Sequence, residues 1–204
     1  MVSMFNGLLF SCSPMALVMS ERSLRLKLGA GESLPGNVCW RIDDGFLRLA
    51  RWSGQSDELL TLGIWGPGDL VVPALIGVES VELLSLSPVE VEEVVPTSEQ
   101  QQQFLLDHLH HTSTLLMLSR VRPAETRLFQ LLLWLGQRFG RVNSRGVSLS
   151  FDEMNLTHRH LADIAGTTRV TVTKALTRFR QEGSLLKEGT DELLLPSRFT
   201  GEGV

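Results

Sequence analysis

Apolar residues fall in short segments over the first half of this chain and in longer, helically spaced runs over the second. Between residues 24 and 95 the segments 38–42, 46–50, 59–64, 70–76 and 81–86 are apolar. Turn-forming residues separate them: Gly36 and Asn37, Asp44 and Gly45, Ser53 and Gly54, and the Gly66-Pro67-Gly68-Asp69 run. Short strands at this spacing predict a sandwich or small barrel. Residues 46–51, Phe-Leu-Arg-Leu-Ala-Arg, alternate apolar and mainly cationic side chains, the pattern of a half-buried strand. Pro96 ends the strand region. Thr97 stands three residues before Gln100, a capping pair, and nothing breaks a helix from there to about Arg122. Leu105, Leu109, Thr112, Leu116 and Ser119 recur along it at steps of four and three, a seam for another helix. Packing against the chain's own β domain is the alternative, but a long helix set between two domains favours a partner copy. After Pro123, a second amphipathic run covers residues 124–139, with Leu128, Leu131, Leu132, Leu135 and Phe139 on one face and Gly140 as its stop. Residues 141–155 form a polar connection with a short apolar alternation at 147–151. The pattern divides the chain into a β-rich domain (1–96), a long helix (97–122) and a C-terminal unit (123–204).

Residues 156–183, LTHRHLADIAGTTRVTVTKALTRFRQEG, read as two helices and a tight turn. Thr157 caps the first helix, and Leu161, Ala162 and Ile164 form its inner face. Gly166 supplies the turn, where a positive φ is needed. Thr168 caps a second helix running to about Gln181, whose inner face is Val172, Ala175, Leu176 and Phe179. Arg169, Val170, Thr173 and Lys174 point outward from its first turns. A recognition helix reads base edges with its N-terminal residues. Arg169 suits guanine O6 and N7, Val170 a thymine methyl, and Lys174, about one turn on, a base or a phosphate. Thr157, Arg159, Thr168, Thr171, Thr173 and Arg178 are candidate phosphate anchors, which set register without reading sequence. Any one of these cations alone reads as a solvated helix face; the ordered set of cap, small residue, glycine, cap and exposed arginine is more specific. Leu185-Leu186-Lys187, a polar Glu188–Asp191 turn and Leu193-Leu194-Leu195 then form a hairpin pattern, so the unit reads as a winged helix.

Charge sharpens this picture. The net charge of −4 looks wrong for a nucleic-acid binder, but residues 120–188 hold 12 Lys and Arg against 6 Asp and Glu, while the remainder is strongly acidic. The cationic end is the electrostatic footprint of nucleic-acid binding. The 2 cysteines, Cys12 and Cys39, are too few for a disulfide scaffold or an iron–sulfur cluster. The first 20 residues are fairly apolar, yet no cation precedes Arg22, which argues against export and for a reduced, cytoplasmic setting. No run approaches the roughly 18 apolar residues of a membrane span, so no membrane partner is expected.

The second helical run, ETRLFQLLLWLGQRFG, followed by the helix-turn-helix sequence, resembles the Crp/Fnr regulators over about residues 24–200. The stretch Thr168-Arg-Val-Thr-Val-Thr-Lys174 is most similar to the cyanobacterial nitrogen-control branch, and Pro196-Ser-Arg-Phe-Thr200 is similar too. The resemblance implies an α+β fold: an N-terminal double-stranded β-helix (a cyclic-nucleotide-binding-like jelly roll), a long dimerisation helix and a C-terminal winged helix-turn-helix. It implies a homodimer on a palindrome in double-stranded DNA, Arg169, Val170 and Lys174 at the base-reading positions, a GTA-type half-site core, and contact with RNA polymerase. The sensing end departs from the family pattern. The phosphate cassette of cyclic-AMP binders carries an arginine; the matching stretch, residues 68–82, carries none and contains Glu79 and Glu82. A phosphate needs cations or directed N–H groups, so cyclic AMP is not expected. The shortened loop argues equally against 2-oxoglutarate. No cofactor is expected, and the effector is unknown.

His108 and His111, three apart on the long helix, suggest a metal site, but no third or fourth ligand accompanies them. They read, with His110, as solvated or dimer-interface residues, and no metal is expected. His158 and His160 flank Arg159 and read as solvent- or backbone-facing. A sensor or enzyme built on the β-roll is the competing function. Residues 24–95 contain no histidine, which removes the metal ligands that a roll-based enzyme would need. No enzymatic activity is expected.

Overall fold

The computed structural model describes residues 23–52, 59–76 and 81–199. The apolar start, Cys12, the Ser53 and Gly54 turn signal, Glu79 and Thr200 lie outside these residues. The chain begins with strands β1 (Arg25–Leu28), β2 (Ser33–Leu34), β3 (Trp40–Asp44), β4 (Leu47–Trp52), β5 (Leu59–Trp65), β6 (Leu70–Val71), β7 (Val81–Ser85) and β8 (Val89–Glu93). They make two antiparallel sheets, ordered β1-β8-β3-β6 and β2-β7-β4-β5. Trp40, Ile42, Leu47, Leu49, Trp65, Leu83 and Val91 fill the space between them. The expected strand at 70–76 is only two residues long. Pro73, which has no N–H to give a ladder, opens a 3-10 turn over Pro73–Leu75 instead. Strand β8 lies beyond the expected set: Val89 and Val91 are buried between the sheets, and Glu92, only 9% exposed, is covered by the arginines that pair with it. Its register against β1 sets Glu92 beside Arg25, and the Ser23 hydroxyl donates to the same carboxylate at 2.6 Å.

Helix α1 (Ser98–Arg120) starts at the capping box expected from the sequence: the Gln100 amide donates to Thr97 Oγ1 at 3.2 Å, and the Thr97 amide to Gln100 Oε1 at 2.8 Å. Phe104 and His111 are its buried residues, turned onto the roll. Helix α2 (Ala124–Phe139) matches the expected span, and its five apolar-face residues are buried or packed on the core. Gly140 ends it for a reason other than a left-handed cap. Its φ is −103°, and a Cβ there would stand 1.9 Å from the Ser148 carbonyl oxygen. The polar connection after it contains β9 (Arg141–Val142) and β10 (Val147–Leu149). These join β11 (Leu185–Glu188) and β12 (Asp191–Leu194) in a third antiparallel sheet, ordered β11-β12-β10-β9.

Helices α3 (His158–Ala165) and α4 (Arg169–Glu182) complete the fold. A second core joins the two halves: Phe46, Ile64 and Leu86 of the roll pack with residues of α2, α3 and α4. Phe46 meets the Phe139 ring edge-on, centroids 5.2 Å apart. This shared core corrects the reading of residues 46–51 as half-buried. Over Leu47–Ala50 both faces of β4 are covered, and Arg48 is only 4% exposed, while Arg51 and Trp52 at its end stay exposed. The Arg48 guanidinium donates to Thr61 Oγ1 and to the Leu59 carbonyl, each at 2.8 Å.

The histidine expectation is corrected as well. His111 is 1% exposed, against Trp65 and Trp134. Its position in the α1 sequence does not reveal that the roll and α2 close over it. Among the described residues no group of three metal-ligating side chains assembles, and no helix is long and apolar enough to cross a membrane.

Candidate nucleic-acid interface

The helix-turn-helix forms as local sequence dictates. Thr157 Oγ1 accepts from the His160 amide at 3.1 Å, and Thr168 Oγ1 from the Thr171 amide at 3.1 Å. Each cap satisfies an N–H that the first turn leaves without an intrahelical partner. Gly166 takes the left-handed conformation, φ 59° and ψ 54°, and the Thr167 amide returns to the Ala162 carbonyl at 2.9 Å. Leu161, Ala162 and Ala165 of α3 are buried, as are Val172, Ala175, Leu176 and Phe179 of α4. Burying one face of α4 leaves the other with Arg169, Val170, Thr173 and Lys174, all exposed; Val170 is 63% exposed despite being apolar. An exposed valine flanked by cations on a capped helix has the chemistry for thymine-methyl contact beside guanine recognition.

The expected phosphate anchors fall into two groups. Thr157, Arg159 and Thr168 are exposed at or near helix N-termini. Thr171, Thr173 and Arg178 are held by neighbouring side chains, and Thr168 shares one of these contacts. Thr171 Oγ1 lies 2.9 Å from Thr168 Oγ1. The Thr173 hydroxyl donates to the Arg169 carbonyl at 2.9 Å and lies 2.9 Å from His158 Nδ1. Arg178 bridges Glu182 at 2.5 Å and Glu125 at 2.7 Å, and those two carboxylates hold its guanidinium above the ordinary arginine range. His160 Nδ1 sits 2.6 Å from the Asn155 carbonyl, so this ring serves the loop before α3.

The wing forms as expected, with Leu185 opposite Leu194 and Glu188 opposite Asp191 across the hairpin. Arg180 of α4 reaches Glu192 of β12 at 2.7 Å, and Arg145 reaches Glu188 of β11 at 2.9 Å. These two pairs tie the wing to its neighbours and leave Lys187 exposed.

Some supporting residues escaped the sequence reading. Phe199 stacks on Phe129, centroids 4.0 Å and planes 7° apart, and meets Phe179 edge-on. It thereby braces α4 from behind. Arg127 of α2 donates to the Gly166 carbonyl at 3.0 Å, fixing the turn between the two motif helices. The aromatic character of Phe199 was a visible signal; nothing in the sequence marked Arg127.

In the proposed seam on α1, Leu105, Leu109 and Leu116 are exposed, together with Leu106 and Met117. Ser119 is exposed too, its hydroxyl donating to the Leu116 carbonyl at 2.6 Å. Thr112 corrects the expectation: its hydroxyl donates to the Leu62 carbonyl of β5 at 2.8 Å, so it faces the chain's own roll.

An antiparallel β-roll joined through a long helix to a winged helix-turn-helix, with a cationic outer face on the second motif helix, is the architecture of a DNA-binding transcription regulator. Residues 126–198 match the Crp-like helix-turn-helix domain. The chain is 37% identical over 163 residues, 79% of each protein, to the regulatory protein CysR of Synechococcus elongatus. It is 29% identical over 161 residues, 77% of this chain and 70% of the other, to a CRP-like cAMP-activated global transcriptional regulator of Mycobacterium tuberculosis. In fold it is similar to FixK2 of Bradyrhizobium japonicum, with a TM-score of 0.66 at 17% identity, covering 86% of this chain and 93% of that one. The chain belongs to the Crp/Fnr family of transcription regulators.

Proposed function

We propose that this protein acts as a homodimer on an inverted-repeat promoter site, with Arg169, Val170 and Lys174 of each α4 reading base edges. The observation that carries the reading is the composition of the α4 outer face: an exposed arginine, valine and lysine in its first two turns, on a helix whose opposite face is wholly buried. Thr157, Arg159 and Thr168 serve the phosphates, with Thr171, Thr173 and Arg178 contributing where DNA displaces their present partners. The exposed leucines 105, 109 and 116 join two copies along α1. Two recognition helices would then enter successive major grooves about 34–36 Å apart. The half-site core is of the GTA type, with its guanine on Arg169.

The protein catalyses no reaction; it works in the cytoplasm, where the DNA is, and through RNA polymerase, as its family membership supports. The roll is not a cyclic-nucleotide sensor: residues 68–82 bring no arginine, and large apolar side chains such as Trp40 and Trp65 occupy its interior.

Selection of bound DNA from a random pool tests the reading. An inverted repeat containing a guanine is expected. Arg169→Ala should cost about 1–3 kcal/mol and relax preference at that one base pair. Recovery of no inverted repeat, or equal loss on random DNA, would refute it.

A further inference from the structure

We infer that the cavity between the roll, α1 and the helix-turn-helix binds a small organic anion with an apolar body, whose carboxylate meets Arg127. The cavity holds about 250 Å³. Leu60 and Leu62 of β5, Leu115 and Leu116 of α1, Leu131 of α2 and Ile164 of α3 give it an apolar lining. Such a lining favours an apolar ligand body, and the few polar groups fix its orientation.

Arg127 is the decisive polar group. It is only 5% exposed and lines the cavity. Nη1 donates to the carbonyls of Ser119 and Val121 at 3.4 and 3.3 Å, and Nη2 to that of Gly166 at 3.0 Å. Its Nε is buried with no partner. Among the described residues no carboxylate pairs with it, whereas the other buried arginine, Arg48, has Asp163 within electrostatic reach. Burial, and then the neighbouring Arg122, oppose its charge. A buried cation held only by carbonyl dipoles lacks the anion that usually compensates burial. A ligand carboxylate would provide that charge. Asp163, the other charged residue at the cavity, is exposed and sits near Arg48, so its charge is partly offset. Because Arg127 also anchors the turn between α3 and α4, the site lies where a ligand would bear on the DNA-reading helix.

Isothermal titration of the full chain with hexanoate and with 1-hexanol, equal in apolar body, tests the inference. Hexanoate should bind at least about tenfold more tightly, the margin of a charge-assisted pair. Arg127→Gln should erase that preference. Leu115→Trp, which keeps the guanidinium but fills the cavity, should weaken hexanoate by at least about tenfold. If Arg127→Gln does not fold, Leu115→Trp and the charge-conserving Arg127→Lys decide the matter, the latter retaining a preference for the carboxylate. Equal binding of hexanoate and hexanol, no hexanoate binding at millimolar concentration, or hexanoate affinity unchanged in Leu115→Trp would each overturn it. A partner chain filling the cavity would show as the second of these outcomes.

Discussion

His111 should make the folded protein acid-sensitive by an amount the structure sets. The ring lies between Trp65, 4.6 Å away, and Trp134, 5.8 Å away, with Nδ1 at 3.4 Å from Arg138. Burial first, then the Arg138 guanidinium, then His110 and His108, push its pKa from the ordinary 6.5 down to about 3. The neutral ring is therefore the form the fold accepts. In the unfolded chain the ring protonates below 6.5, so the unfolded state binds more protons across the window from 6.5 to about 3. The stability His111 confers is fully present above pH 6.5 and is lost as pH falls towards 3. The slope is about 1.4 kcal/mol per pH unit, which amounts to about 2 kcal/mol lost by pH 5. Urea unfolding at pH 7.5 and at pH 5.0, at fixed protein concentration, measures this in the native chain and in His111→Phe. Phenylalanine keeps a ring between the tryptophans but does not titrate. The native protein should lose about 2 kcal/mol more than the variant between the two pH values. Losses equal within about 0.5 kcal/mol would refute the reasoning, since that is the scatter of additive effects.

Three other perturbations have defined outcomes. Gly140→Ala should destabilise the protein by at least about 2 kcal/mol in urea unfolding, because its Cβ meets the Ser148 carbonyl rather than a yielding side chain. Thr168→Ala removes the cap that the Thr171 amide uses, and should cost about 1 kcal/mol of stability, measured as a shift in the urea midpoint. Lys174→Ala should narrow discrimination at one base pair, measured by DNA titrations across site variants; a uniform loss on all sites, with the slope of log affinity against log salt lowered by about 1, would instead mark a phosphate contact and refute base reading by this lysine.

The C-terminal half was the more legible in sequence. Caps, a turn glycine and 3.6-residue periodicity are local signals, and Thr157, Gly166, Thr168 and the buried face of α4 required nothing beyond neighbours within one or two turns. The same holds for the Thr97 capping box. The roll was less legible because its strands pair across long separations: Arg25 with Glu92, Ser33 with Leu84. The extent of each strand there depends on which partner lies opposite, so apolar patterning alone misses β8 and overextends the strand at 70–76.

The local order of residues was enough to determine the helix-turn-helix, the wing, the long helix and the side of α4 left exposed, because each follows from short-range hydrogen bonding and from apolar periodicity. Tertiary structure alone decided what covers an amphipathic face. It turned Thr112 towards the roll, closed Trp65 and Trp134 over His111, buried Arg48 beneath the second core, and set Arg127 against the turn carbonyl of Gly166. Periodicity identifies an apolar or polar stripe, but the surface opposite that stripe comes from distant sequence, and only packing brings the two together.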